Sequence, residues 1–380
     1  MRPAPKLTEI SHYPVVAGTA LLAVGVTVAW WAKVDISPLF ETAMIRRGEL
    51  WRLVTSILPH GGILHLVFNV YWLWVFGTFV EEVYGHLKTA ALVLLFAVGS
   101  GAWEFAIAVG GIGLSGVGYG LFGLLWILSR SDDRFRDAID AKTVQLFVIW
   151  FFLCIVTTVT NVMPVANIAH GTGAVLGILT GLAITLPERR ATIAAGIASI
   201  LLFGIWGATL GRPRVNLSGK GGYEEAKWGY DALLAHRNRE AVRWFRDATT
   251  LQPKMAAYWY DLGFAYQGLA DKNAALAAYR TAAELGNADA QYYLGEIFEY
   301  GREGWPQDRQ QALYWYRKAA AQDYPDALND LDWMYATSSD PTVRNPTAAL
   351  EYSRKAVSLR KDQPNPNYLD TLAESLYVNE

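Results

Sequence analysis

Long apolar runs fill the chain up to about residue 210, and shorter amphipathic segments fill the rest. The apolar runs fall at about 15–33, 63–81, 88–108, 115–130, 143–161, 167–186 and 191–210. Each is near the ~20 residues that a helix needs to cross a bilayer. Between the first two lies an amphipathic stretch, 36–62, where Arg46, Arg47, Glu49 and Arg52 sit beside Trp51 and Leu53. That mixture suits the membrane interface better than a span. The pattern predicts an all-α fold: a polytopic transmembrane helical bundle with a soluble helical region after it. Its Gly and Ala content makes 191–210 the weakest of the spans.

Beyond residue 222 the pattern repeats. Ala241, Phe245 and Ala248 recur as Ala275, Tyr279 and Ala282, a shift of 34. Ala312, Trp315 and Ala319 recur as Ala349, Tyr352 and Ala356, a shift of 37. Periods of this size mark helix-turn-helix units that stack into an α-solenoid. Leu262-Gly263 and Leu294-Gly295 fall at matching places in first helices. The segment 290–335, with Gly301, Asp308 and Trp315 to Ala320, resembles a Sel1-type repeat, and the earlier units resemble tetratricopeptide repeats. Pro366 to Ala373 begins one more first helix, a capping helix or a truncated unit. The expected organisation is a short tail (1–14), a membrane core (15–186), a seventh span (187–211), a linker (212–222) and a repeat domain (223–380).

Composition adds limits. The chain has 380 residues, 52% of them hydrophobic, with a formal charge of −2 and mean hydropathy +0.15. No basic surface suited to nucleic acid is indicated. The single cysteine, Cys154, excludes a disulfide within the chain. The polar N-terminus lacks a cleavage site after a short apolar core, so the first run reads as a retained anchor. Arg130, Arg134, Arg136, Lys142, Arg189 and Arg190 share a side with Arg2 and Lys6, and the positive-inside rule makes that side cytoplasmic. The seventh span then carries the repeats to the outer side.

Several polar residues interrupt the apolar runs. His65 and Asn69 are four apart and share a helix face. Taken alone, they fit interhelical hydrogen bonds. Ser115 lies in Gly113-Leu114-Ser115-Gly116, and Tyr119 shares its face. Packing alone accounts for a serine beside Gly116-x-x-x-Gly120. His170 precedes Gly173, Gly177 and Gly181, a smooth face for close helix approach. The topology joins them: the second, fourth and sixth spans run the same way, and His65, Ser115 and His170 each lie near the start of one. All three then share a shallow depth on the outer side, where a histidine can serve a serine as base. Glu104, beside Trp103, fits either an interfacial carboxylate or a place at the cavity edge. His60, His65 and His170 lack the local spacing of a zinc site.

This ordered set resembles the rhomboid intramembrane serine proteases. The matching residues are Trp51-Arg52, His65-x-x-x-Asn69, Gly77-x-x-x-Glu81-x-x-x-Gly85, Gly113 to Gly116 with Tyr119, and Ala169-His170-Gly171 with its glycine ladder. They cover about residues 15–186. The resemblance implies a six-helix core. It makes Ser115 the nucleophile and His170 the base of a dyad, without an acidic third member. It makes His65 and Asn69 oxyanion donors, with the Ser115 N–H. Tyr119, Gly113 and Gly116 support the site. Trp51, Arg52, Glu81, Gly173 and Gly177 belong to structural motifs, and Phe68 and Phe152 fall at gate positions.

The implied function is an endopeptidase that cuts transmembrane or juxtamembrane segments of membrane proteins and needs no cofactor. Its expected partners are such substrates, the lipid bilayer, and a protein or peptide held by the repeats. A bacterial inner membrane is the expected location, with site and repeats facing outward. Two alternatives stay open: an inactive rhomboid-like scaffold, and a membrane-tethered repeat adaptor.

Overall fold

Helices carry every apolar run. The computed structural model describes residues 3–162, 165–218, 221–360 and 365–379, and helices and turns are the regular structure among them. Arg2, counted above for orientation, lies outside the described residues. The chain divides into two compact units, Met1–Gly221 and Gly222–Glu380.

The first unit holds seven long helices: α1 (Pro14–Trp31), α2 (Ile63–Tyr84), α3 (His86–Ile107), α4 (Ser115–Ser131), α5 (Ala141–Val159), α6 (Asn167–Thr185) and α7 (Arg190–Ala208). Six of them, all but α4, are long and apolar enough to cross a membrane. This is a multi-pass integral membrane protein. Helix α4 has 17 residues, about 25 Å. Such a helix is shorter than the ~30 Å hydrocarbon core, so its first residue can start below the surface.

Glycines set the centre of the bundle. A Cβ at Gly173 would overlap the Gly116 carbonyl oxygen, and one at Gly177 would overlap that of Gly120. Gly123 faces the Ala174 carbonyl in the same seam. The backbones of α4 and α6 therefore touch directly, which is how membrane helices gain van der Waals packing without a hydrophobic drive. Helix α5 is held mainly by rings: Phe147 stacks on Phe122 (4.6 Å between centroids) and meets Trp72 and Phe76 edge-on or tilted. Gly177→Val should destabilise the unit by at least ~3 kcal/mol, because the clash is with backbone that cannot rotate away. Gly118, also on α4, has nothing within 4 Å of a Cβ. Gly118→Ala should be neutral or gain up to ~1 kcal/mol. Melting curves of the two variants in detergent check the pair.

Buried carboxylates reach across to helix ends. Glu81, near the C-terminus of α2, accepts from Val15 N (2.9 Å) and Val16 N (3.0 Å), and His86 Nδ1 lies 2.7 Å from it. It thus caps α1, whose Pro14 offers no side-chain oxygen. Gly85, at φ +77°, makes the tight turn from α2 into α3.

The 36–62 stretch is irregular as expected. It folds as two 3-10 turns, Ser37–Leu39 and Ala43–Arg47, and one helical turn, Arg52–Thr55. Buried Arg52 organises it: Nε donates to Glu49 Oε2 (2.6 Å), and Nη1 donates to the carbonyls of Ser37 (2.8 Å) and Phe40 (3.2 Å).

The second unit is a series of helix pairs: α8 (Tyr223–Leu234), α9 (Asn238–Leu251), α10 (Ala256–Gln267), α11 (Lys272–Glu284), α12 (Ala288–Tyr300), α13 (Arg309–Ala320), α14 (Pro325–Thr337), α15 (Pro346–Leu359), then α16 (Pro366–Tyr377). One contact repeats. A first-helix glycine leaves room for a second-helix ring: Gly229 for Phe245, Gly263 for Tyr279, Gly295 for Tyr316. In the third pair the ring is therefore Tyr316, four residues after Ala312. In the fourth pair Asp332 and Ser353 replace the glycine and the ring, with Ser375 of α16 bonded to the same carboxylate. Asp or Asn caps α11, α12, α13 and α15: Asp271 accepts from Ala274 N, Asn287 from Ala290 N, Asp308 from Gln311 N and Asn345 from Ala348 N.

Candidate active site

Ser115 is the first residue of α4, His65 the third of α2 and His170 the fourth of α6. The three first turns meet. Ser115 Oγ lies 2.8 Å from His170 Nε2. The chain reaches Ser115 through Gly113, which sits at φ +100°. A Cβ there would come 2.8 Å from His65 Cε1 and 2.9 Å from His65 Nε2. Glycine is thus needed twice, for a left-handed backbone and for the close approach of the His65 ring. Gly116 is needed for space, since a Cβ would overlap Ser100 Oγ.

His170 is 4% exposed. Tyr119 stacks on its ring at 4.7 Å and 27°, and the Tyr119 hydroxyl donates to the Phe147 carbonyl (3.2 Å). Among the described residues, His170 Nδ1 has no hydrogen-bond partner. Helix α6 starts beside a carboxylate, Glu104, but that group accepts from Ala169 N (3.0 Å). It does not complete a Ser-His-acid triad.

Asn69 stands one turn beyond His65 and is 6% exposed. Its Nδ2 has no partner among the described residues. A buried donor left unpaired costs about 1–3 kcal/mol, and a ligand or intermediate that accepts from it would recover that cost.

The other residues singled out in the sequence lie elsewhere. Arg52 holds the 36–62 loop, while Trp51 is exposed. Glu81 caps α1, and Gly173 and Gly177 form the seam. Phe68 on α2 meets Trp150 of α5 (5.5 Å), whereas Phe152 is 61% exposed and meets Phe151.

His60 is the residue that sequence reasoning missed. It is fully buried. Its Nδ1 lies 2.9 Å from the Leu58 carbonyl, and its Nε2 accepts from Leu114 N (3.3 Å). One neutral tautomer satisfies both bonds, with the proton on Nδ1. Gly113 N donates to the Ser56 carbonyl (3.0 Å). Both bonds tie the nucleophile's approach segment to the 36–62 loop. A histidine in a Pro-His-Gly-Gly turn has no periodic neighbour, so only its position before His65 could have flagged it.

Comparison with known proteins bears on the first unit. The rhomboid domain family model matches residues 47–187, which include Ser115, His170, His65 and Asn69. Those residues are similar to a rhomboid domain. The rhomboid protease GlpG of Enterobacter sp. (strain 638) is 32% identical over 150 residues, 38% of this chain and 52% of that protein. The rhomboid protease GlpG of Photorhabdus laumondii is 31% identical over 136 residues, 35% of this chain and 47% of that protein. The chain thus spans about half the length of these curated relatives. Beyond those residues, the Sel1 repeat model matches residues 288–324 and 325–360. The second match extends the Sel1-type region past the single segment expected. The crystal structure of a Sel1 repeat protein from Oxalobacter formigenes aligns with 76% of this chain and 96% of its own, at 20% identity and a TM-score of 0.32.

Proposed function

We propose that the protein is an intramembrane serine endopeptidase acting on transmembrane or juxtamembrane segments of other membrane proteins. The observation that carries the reading is the 2.8 Å approach of Ser115 Oγ to His170 Nε2 beside the unpaired Asn69 Nδ2. Ser115 Oγ attacks the scissile carbonyl carbon, and His170 Nε2 takes its proton. The oxyanion that forms faces Asn69 Nδ2, the His65 ring and the Ser115 N–H, donors that need not reorganise as charge develops. His170 returns the proton to the leaving amine. A water then enters, His170 takes a proton from it, and the acyl ester is hydrolysed. Tyr119 keeps the imidazole in plane throughout. The substrate helix must unwind locally to present its carbonyl, so helix-breaking residues near the cleavage point favour reaction.

The experiment is covalent labelling. A fluorophosphonate should label wild-type protein in detergent or vesicles, with the adduct at Ser115 by mass spectrometry. Ser115→Ala should take no label. An unlabelled wild type that is folded by melting would favour a non-catalytic rhomboid-like scaffold.

The repeat unit is proposed to bind a protein or peptide that brings substrate to the membrane domain, since solenoids offer extended surfaces for such partners. Removal of residues 222–380 should then leave labelling of Ser115 intact while slowing cleavage of a native substrate. Equal cleavage rates with and without the repeats would refute recruitment. The proposed location is a bacterial inner membrane with the site and the repeats outward. Reporter fusions after residues 186 and 215 read the two sides, and a cytoplasmic signal at 215 contradicts this orientation.

A further inference from the structure

Helix α6, which carries His170, starts without a local cap. Ala166 stands at the capping position and has no side-chain oxygen to offer. Asn167 does not serve: its Oδ1 has no hydrogen-bond partner among the described residues, and its Nδ2 donates to Thr158 Oγ1 (2.8 Å) and the Cys154 carbonyl (3.3 Å). The orphan N–H groups are taken instead by Glu104, which comes from α3 and is 5% exposed. Glu104 accepts from Ala169 N (3.0 Å) and also bonds Ile168 N. Ala169 is the residue immediately before His170.

A second buried carboxylate does the same for the serine side. Glu41 is 6% exposed. Its Oε2 accepts from Gly111 N (2.8 Å), four residues before Ser115, and its Oε1 accepts from Ser56 Oγ (3.1 Å). Ser56 in turn binds Gly113 N through its carbonyl. The chain makes room for both groups. A Cβ at Gly101 would come 2.5 Å from Glu41 Oε1, and one at Gly111 would come 3.2 Å from Glu104 Cγ. Each carboxylate is within the other's electrostatic reach, as is the Arg212 guanidinium. Burial pushes the Glu41 carboxyl up to about 8, against the lowering pull of its Gly111 and Ser56 bonds. A glutamine amide has the same shape and keeps one of the two acceptor oxygens.

We propose that Glu104 and Glu41 are positioning residues that set the Ser115–His170 spacing, Glu104 by capping the helix of the base and Glu41 by pinning the segment of the nucleophile. The inference rests on the dyad reading above. It differs from a purely structural role in what it predicts. A cap that only stabilises changes how much protein is folded. A cap that sets the spacing changes the rate of each folded molecule, since a misplacement of ~1 Å can cost about 100-fold.

The test uses the full chain in vesicles, with folded sites counted by fluorophosphonate labelling taken to completion. Glu104→Leu keeps the volume and removes the acceptor. It should lower kcat per labelled site by about 10- to 100-fold with KM unchanged, and slow the labelling reaction in step. Glu104→Gln keeps one acceptor oxygen and should restore most of the rate. Glu41→Leu and Glu41→Gln should follow the same order. A wild-type kcat per site in Glu104→Leu, with only the melting temperature lowered, overturns the proposal. Should Glu104→Leu give no labelled protein, Glu41→Leu decides, and a wild-type kcat per site there overturns it equally. Ser115→Ala runs in parallel. If it still cleaves, the dyad reading fails; if it is inactive while Glu104→Leu matches wild type, only the positioning role fails.

Discussion

His170→Ala should lower turnover of a membrane substrate by roughly 10⁴-fold or more, and Ser115→Ala added to it should lower turnover no further. The size follows from what each side chain does alone. A serine hydroxyl without a base is a weak nucleophile, and a base without the serine has no proton to take. Residues that act as a unit therefore lose their effect together. The geometry makes the pair a unit: Nε2 is committed to Ser115 Oγ, and Nδ1 has no partner among the described residues that could supply a second proton path. Any change in stability has a separate cause. The His170 ring stacks on Tyr119, and truncation there leaves a cavity worth about 2–5 kcal/mol at most. Initial rates on a labelled transmembrane substrate, with melting curves alongside, separate the two effects. Additive losses in the double variant would mean that the two residues work independently.

Asn69→Leu is expected to cut kcat by about 10²- to 10³-fold, the cost of one oxyanion donor, with little change in KM. The melting temperature should stay level or rise. The reason is the unpaired Nδ2: the resting protein carries a buried donor with no acceptor among the described residues. Replacing it by an apolar group of similar volume removes that penalty. A side chain that costs stability at rest and lowers the barrier in reaction gives opposite signs in the two measurements. A structural asparagine would give the same sign in both. If Asn69→Leu melts early and keeps its kcat, the oxyanion assignment is wrong.

Much of this architecture was legible in the sequence, for a physical reason. A membrane helix must satisfy its backbone internally, so each span announces itself as one long apolar run, and all seven expected spans are helices. The glycine ladder was legible because close helix contact needs small residues at a spacing of four. Ser115, His65 and His170 could be brought to one depth by threading direction alone. What stayed hidden is what depends on a partner far away in sequence. Glu104 caps a helix 65 residues further on, and nothing near either position records the pairing. His60 binds Leu114 across 54 residues through one ring nitrogen. Glu41 lies in an irregular loop without periodicity. In the repeats, composition marked the units but not which ring packs over each first-helix glycine. Trp315 and Tyr316 are both aromatic, and only the space over Gly295 distinguishes them.

The central claim is that Ser115 and His170 form a working nucleophile and base within a membrane-embedded bundle. The most direct measurement is cleavage of a transmembrane substrate reconstituted with wild-type protein or with Ser115→Ala, read by mass spectrometry of the products. Wild type should give a single new N-terminus in or next to the substrate's membrane segment, and Ser115→Ala none. Equal cleavage by both proteins would contradict it.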